Sequence, residues 1–254
     1  MDYGVIGVGA IAEAIAIGLC DGVEAPPRVV LSPRNANTAR GLAERYETVE
    51  VAGDNQAVVD AAPVVLICLR PQVAREALGQ LRFGAGQIVI SAMAGIAVDE
   101  VKRLVAPASD VARCIPLPGV ARRKGITPVH PPQRAAKELF DRLGTAVEVP
   151  ELDAYDGFAV ATATIAAHFA YLETISGWLA TRGIPAEEAQ RYVAATFADL
   201  ATTLDGRHDF EHLARDHATA GGINELFLQT LRERGVYDEV RAGMNRVLAR
   251  LSEL

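Results

Sequence analysis

Several absences narrow the reading of this chain. Its 254 residues include only three cysteines, Cys20, Cys68 and Cys114, far apart and set in apolar surroundings. Few, odd in number and dispersed, they do not make a disulfide frame or a cysteine-rich metal knot, and they point to buried thiols in a reducing cytoplasm. There is no dense block of Lys and Arg, and the net charge is −7, which argues against a nucleic-acid partner. No uninterrupted apolar run reaches the ~18 residues of a bilayer span, so no membrane role is expected. A strand beginning at residue 3 leaves no room for a signal peptide. His208 and His212 are spaced i, i+4 but lack the Glu of an H-E-x-x-H set, so no metal is expected.

What is present is concentrated at the start. Residues 3–6 read as a short buried strand, 7–12 as G-x-G-x-x-A, and Ile11, Ala14, Ile15, Gly18 and Leu19 as a helix face. In such a strand-turn-helix unit Gly7 permits the tight turn, Gly9 lets backbone approach a pyrophosphate, and Ala12 lets helix and strand pack closely. The free N–H groups and positive dipole end of that helix would hold the phosphates. The second strand, 28–32, ends in Ser32, Pro33, Arg34 and Asn35, with no acid between Val29 and Asn37. An acid there would bind the ribose hydroxyl of NAD, whereas Ser32 and Arg34 suit the 2′-phosphate of NADP. NADPH is therefore favoured over NADH. The competing explanation is a helix cap followed by a solvated Arg.

Strand patterns at 49–51, 63–69, 88–91, 108–114, 125–129 and 146–149 alternate with helical ones. The run PVVLICL at 63–69 is apolar throughout, as a strand buried on both faces should be. The fold class expected is α/β, a doubly wound, mostly parallel sheet over 1–150, followed by an all-helical domain over 151–254. Residues 154–182 are apolar almost all round, so that helix should be buried on several sides. Further helices are expected near 185–204, 209–217, 223–234 and 237–251, with a turn at Gly206-Arg207-His208. So apolar a helix has little core of its own, and a second copy of the chain is the expected cover, giving a homodimer or higher homo-oligomer.

Taken together these segments resemble the pyrroline-5-carboxylate reductase family. The likeness runs through GVGAIAEAI at 7–15, the Asn55 helix, VVLICLRPQ at 64–72, VISAMAGI at 89–96, VARCIPLPGVARRKGIT at 111–127, GIP at 183–185 and HATAGGINE at 217–225. It implies a cytoplasmic homo-oligomer, dimerised through its carboxyl-terminal helices, that reduces the C=N bond of a cyclic imino acid to give proline. It also implies that Ala10 and Ile11 join Gly7, Gly9 and Ala12 in holding the pyrophosphate, that Asn55 lies near the adenosine ribose and that Leu69, Arg70, Pro71, Ala94 and Gly95 line the nicotinamide side. Arg70 stands where the family commonly has Lys.

The departures fall where substrate would sit. The family's M-P-N-T-P is Ile115-Pro116-Leu117-Pro118-Gly119 here, and its G-S-G-P-A-Y becomes 162–167, TATIAA. Its S-P-G-G-T-T, whose backbone and hydroxyls grip the substrate carboxylate, becomes 219–224, TAGGIN. Thr162, Thr164, Gly221 and Gly222 are thus the candidate substrate contacts, and Thr219, Asn224 and His168 the candidate catalytic groups. For each Thr the alternative is back-bonding within a helix, for Asn224 an ordinary cap, and for His168 a core or interface role. Arg122-Arg123-Lys124 reads as a solvated loop. Hydride transfer to an iminium carbon needs little acid–base machinery, because the protonated imine is already electrophilic. The absence of a Ser-His-Asp or Cys-His set therefore fits. A β-hydroxyacid-dehydrogenase-like enzyme would need a Lys on the first long helix, and 154–182 has none. The remaining alternative is a non-catalytic NADP-binding sensor.

Overall fold

A computed structural model describes residues 1–204, 206 and 208–253; Arg207 of the expected turn lies outside them. The chain forms two compact units, Met1–Ala159 with the chain end from Leu251, and Val160–Arg250.

The first unit is built on an eight-stranded sheet of order β3-β2-β1-β4-β5-β6-β7-β8. Its strands are β1 (Tyr3–Ile6), β2 (Val29–Leu31), β3 (Val49–Val51), β4 (Val64–Ile67), β5 (Ile88–Ser91), β6 (Asp110–Cys114), β7 (Gly125–His130) and β8 (Gly144–Glu148). All neighbours run parallel except β6 and β7, paired antiparallel at Arg113–His130 and Cys114–Val129. Alternate residues feed two cores, as the pleat requires. Val5, Leu31, Leu66, Ile90 and Ala112 meet α1 (Ala10–Cys20), α2 (Ala36–Arg45) and α6 (Arg134–Arg142) on one face. Ile6, Val30, Val65, Ile67, Val89 and Val111 meet α3 (Asn55–Ala61), α4 (Pro71–Gly79) and α5 (Val98–Leu104) on the other. The strand run at 63–69 is shorter than its apolar pattern suggested; the ladder stops at Ile67, and Cys68 and Leu69 begin the loop.

Between β6 and β7 the proline-stiffened segment becomes a 3-10 turn over Pro118–Arg122. Its backbone lies hard against α1. A Cβ on Gly18 would sit 2.3 Å from the Val120 carbonyl oxygen, so only glycine fits there. Arg123 is exposed, as the sequence suggested, but its side chain is also engaged. It adopts a left-handed φ of 54°, and its guanidinium donates to the carbonyls of Gly18 (3.0 Å) and Asp21, closing the negative end of α1.

The second unit is helical: the end of α7 (Leu152–Ala163), α8 (Ile165–Ala180), α9 (Ala186–Thr202), α10 (Phe210–His217), α11 (Ile223–Glu233) and most of α12 (Val236–Ser252). The single helix expected at 154–182 is interrupted at Thr164, whose hydroxyl donates to the Ala161 carbonyl at 2.7 Å and tightens the turn. The burial expected for this stretch is not supplied by the chain itself: Phe169 is 64% and Trp178 56% exposed. Taken as one segment, Leu152–Ala180 is also long and apolar enough to cross a bilayer, its most apolar 18-residue window having mean hydropathy 1.3. Counting uninterrupted apolar runs missed it because Asp156, His168 and Glu173 break the run without lowering its average far.

Candidate active site

The carboxyl ends of the parallel strands carry the predicted cofactor residues, on both sides of the point where strand order reverses beside β1. This is where open α/β sheets bind ligands. Gly7 has a φ of 92°, and a Cβ there would strike the Cys68 carbonyl at 2.8 Å and the Leu69 side chain at 2.9 Å. Gly9 caps α1 without any side-chain hydrogen bond, and a Cβ on it would meet nothing within 4 Å. The space above Gly9 is open, and the first-turn amides of Ala10, Ile11 and Ala12 have no intrahelical acceptor. Donors, dipole and room suit a pyrophosphate.

Ser32 is placed differently from the expectation that it holds a 2′-phosphate. It is buried, and its Oγ accepts the Gly7 N–H at 2.9 Å, bracing the glycine turn. Arg34, by contrast, is exposed. Beside it Asn35 takes a left-handed φ of 64° and donates from Nδ2 to the Val8 carbonyl at 2.7 Å. Sequence reasoning saw Asn35 only as part of a loop. The signal available was its residue type, since Asn tolerates the left-handed region better than most.

Arg34 and Asn55 share a cleft of about 480 Å³ with Gln56, Glu76 and Gln80. Asn55 opens α3, whose cap is Asp54, accepting the Ala57 N–H at 2.8 Å. Pro71 and Gly95 share a second cleft of about 320 Å³, bounded by the Arg75–Glu100 ion pair at 2.6 Å. That pairing holds the Glu100 carboxyl below its usual range. Arg70 caps α4 with Pro71 in the first helical position, Ala94 is exposed, and Gly95 has a φ of 69°. Burial pushes the Cys68 thiol up to about 12 and that of Cys114 well above the ordinary range, so neither is a nucleophile near neutral pH.

In the helical unit a cleft of about 800 Å³ brings His168 and Asn224 together with Thr196, Phe197, Phe210 and His217. Thr162, Thr164, Thr219, Gly221 and Gly222 are not part of its wall. The Thr164 hydroxyl is spent on Ala161. The backbone N–H groups expected to grip a carboxylate are bonded locally: Gly221 N–H donates to Glu225 Oε2 at 2.7 Å, and Gly222 N–H to the Thr219 carbonyl at 2.8 Å. Asn224 Nδ2 donates to the His217 carbonyl at 3.1 Å. His168 packs edge-on to Phe197, ring centres 6.2 Å apart. His212 pairs with Asp216 at 3.5 Å.

Residues 2–95 match the family described as NADP oxidoreductase, coenzyme F420-dependent, and residues 153–254 match pyrroline-5-carboxylate reductase dimerisation. A pyrroline-5-carboxylate reductase from Synechocystis is 27% identical over 97% of each chain. A structure of a pyrroline-5-carboxylate reductase from Coxiella burnetii superposes with a TM-score of 0.82 at 19% identity, over 99% of this chain and 97% of that one. A Plasmodium falciparum pyrroline carboxylate reductase with NADP bound gives 0.78 at 14% identity, over 99% and 97%.

Proposed function

We propose that this chain, which belongs to the pyrroline-5-carboxylate reductase family, reduces the C=N bond of a cyclic imino acid, pyrroline-5-carboxylate, to give proline with NADPH. The observation that carries the reading is the full-length likeness to reductases of that name, joined to a glycine turn that leaves open space at a helix N-terminus.

Each part of the proposed cofactor site has a physical task. The amides of Ala10, Ile11 and Ala12 hold the pyrophosphate, with Gly9 admitting it. Arg34 holds the 2′-phosphate by a charge-assisted fork, and Asn55 lies by the adenosine ribose. Leu69, Arg70, Pro71, Ala94 and Gly95 line the nicotinamide side. When bound, the cofactor supplies the hydride to the imine carbon. The protein's share is to position the imine at near-attack distance, keep water out and steady its charge.

Helices α11 and α12 bury none of their residues within the chain, and Ile223 is 86% exposed. A second copy of the chain, seated on these helices and on the apolar stretch at Leu152–Ala180, covers them in our reading. That makes the long apolar segment a dimer core rather than a bilayer span. The free thiols suit a reducing compartment such as the cytoplasm.

Loss of NADPH absorbance on adding pyrroline-5-carboxylate, beside pyrroline-2-carboxylate and piperideine carboxylates, tests the activity. Turnover greatest with the first supports the proposal. Tight NADPH binding with no turnover of any of them sinks it in favour of a sensor.

A further inference from the structure

Arg113 is a buried cation with no carboxylate partner among the described residues. It sits on β6 one residue before the strand ends, in register with Ser91 of β5 and opposite His130 of β7. It is 7% exposed, its Nε meets no hydrogen-bond acceptor, and among the described residues no carboxylate lies within ion-pairing distance. Its guanidinium stacks on the Tyr155 ring, 4.9 Å from the centroid. Tyr155 is fixed in turn by the His130 ring at 5.5 Å, and His130 Nδ1 is bonded to the Val149 carbonyl at 2.9 Å. The face of the cation is thus occupied by an aromatic ring, leaving its edge for a ligand.

That side chain lines a cleft of about 490 Å³ with Gly95, Ala97, Leu152, Asp153 and Asp156, all of the first unit. A buried guanidinium cannot escape its cost by losing a proton, and an unpaired charge away from water is strongly destabilising. An anion entering this cleft would meet a stacked, pre-oriented fork of the kind that takes carboxylates in pairs of hydrogen bonds. The cleft shares Gly95 with the turn assigned to the nicotinamide side. The other donors expected for a carboxylate, the N–H groups of Gly221 and Gly222, are already satisfied within the helical unit.

We infer that Arg113 binds the carboxylate of the imino-acid substrate. The inference rests on the proposed function and names the subsite within it. Asp153 and Asp156 complete the charge pattern: one buried cation and two carboxylates suit a ligand that carries a carboxylate and a protonated imine together.

The test compares pyrroline-5-carboxylate with 1-pyrroline, the same ring without the carboxylate, in the full-length protein. Arg113→Gln should raise KM for the acid about 100-fold, the usual scale for losing one partner of a buried charge pair. It should leave kcat/KM for 1-pyrroline and the affinity for NADPH within about two-fold, and Arg113→Lys should recover part of the loss, since a point charge replaces the fork. Equal losses on both substrates, with a lowered melting temperature, would make Arg113 a structural residue and overturn the inference. A second measurement needs no turnover and no variant enzyme activity. The 15Nε–Hε resonance of Arg113, assigned by its absence in Arg113→Lys, is followed while L-proline and then acetate are added to the wild-type protein. A saturable shift supports the carboxylate site even where the wild type reduces neither ring, which would sink the proposed function alone. A resonance that neither probe moves overturns the inference and leaves the proposed function standing.

Discussion

The two units solve the burial problem in opposite ways. The sheet unit covers its apolar side chains with its own helices: both faces of the strands are closed, and Tyr3, Ile6, Leu31, Leu66 and Ile90 are almost completely buried. The helical unit leaves Phe169, Trp178, Tyr192, Ile223 and Phe227 more than half exposed. The sheet unit therefore closes its own core, whereas the helical unit leaves large apolar side chains on its surface. An apolar surface of this extent on one chain marks an interface rather than a solvated face.

The contrast can be broken from either side. The largest effect is expected from paired Phe169→Asp and Phe227→Asp, which should weaken self-association by about 5 kcal/mol or more, in the range of central interface residues. Sedimentation at micromolar concentration would then show monomer where the wild type shows none; a wild type already monomeric and well folded removes the contrast. In the sheet unit, Arg34→Ala should cost NADPH affinity about 2–3 kcal/mol, the scale of a charged hydrogen-bonded pair, and leave NADH nearly untouched. Equal losses for both cofactors would end the assignment. Gly18→Ala forces a methyl into the Val120 carbonyl and should lower stability by about 1–3 kcal/mol. Chemical denaturation of that variant, compared with Gly9→Ala in its open space, separates packing from ligand binding: the first should lose stability, the second cofactor affinity. The smallest effect belongs to Thr164→Ala, within about 0.5 kcal/mol of wild type in stability, because its hydroxyl serves only a local turn. A turnover loss beyond three-fold, roughly 0.65 kcal/mol by the rate relation, would return Thr164 to the substrate site.

Most of the fold was legible because its signals are local. Strands such as β1, β4 and β5 announced themselves as short apolar runs between turn residues, and Gly7, Gly9 and Ala12 stand at the spacing a strand-turn-helix unit imposes. Features that depend on contacts between distant segments were not legible. Ser32 looked like a phosphate ligand, since a hydroxyl at a strand end is equally able to brace a neighbouring turn, and only the proximity of Gly7 decides between them. The bonding role of Arg123 was hidden because the carbonyls it closes lie about a hundred residues earlier in the chain. Arg113 had one visible trace, a charge between the apolar residues Ala112 and Cys114. The break at Thr164 was hidden in a sequence helical on both sides of it.

The two cross-links at the glycine turn carry a consequence for engineering. Gly7 is tied to Ser32 through an N–H to hydroxyl bond, and Val8 to Asn35 through a carbonyl to amide bond, so neighbouring phosphate loops share one frame. Arg34 projects from that frame without helping to hold it. If Arg34 holds the 2′-phosphate as proposed, cofactor preference is modular: exchanging Arg34 for an acidic residue should redirect the site from NADPH toward NADH while the glycine turn keeps its shape. The same exchange at Ser32 would loosen the turn for both.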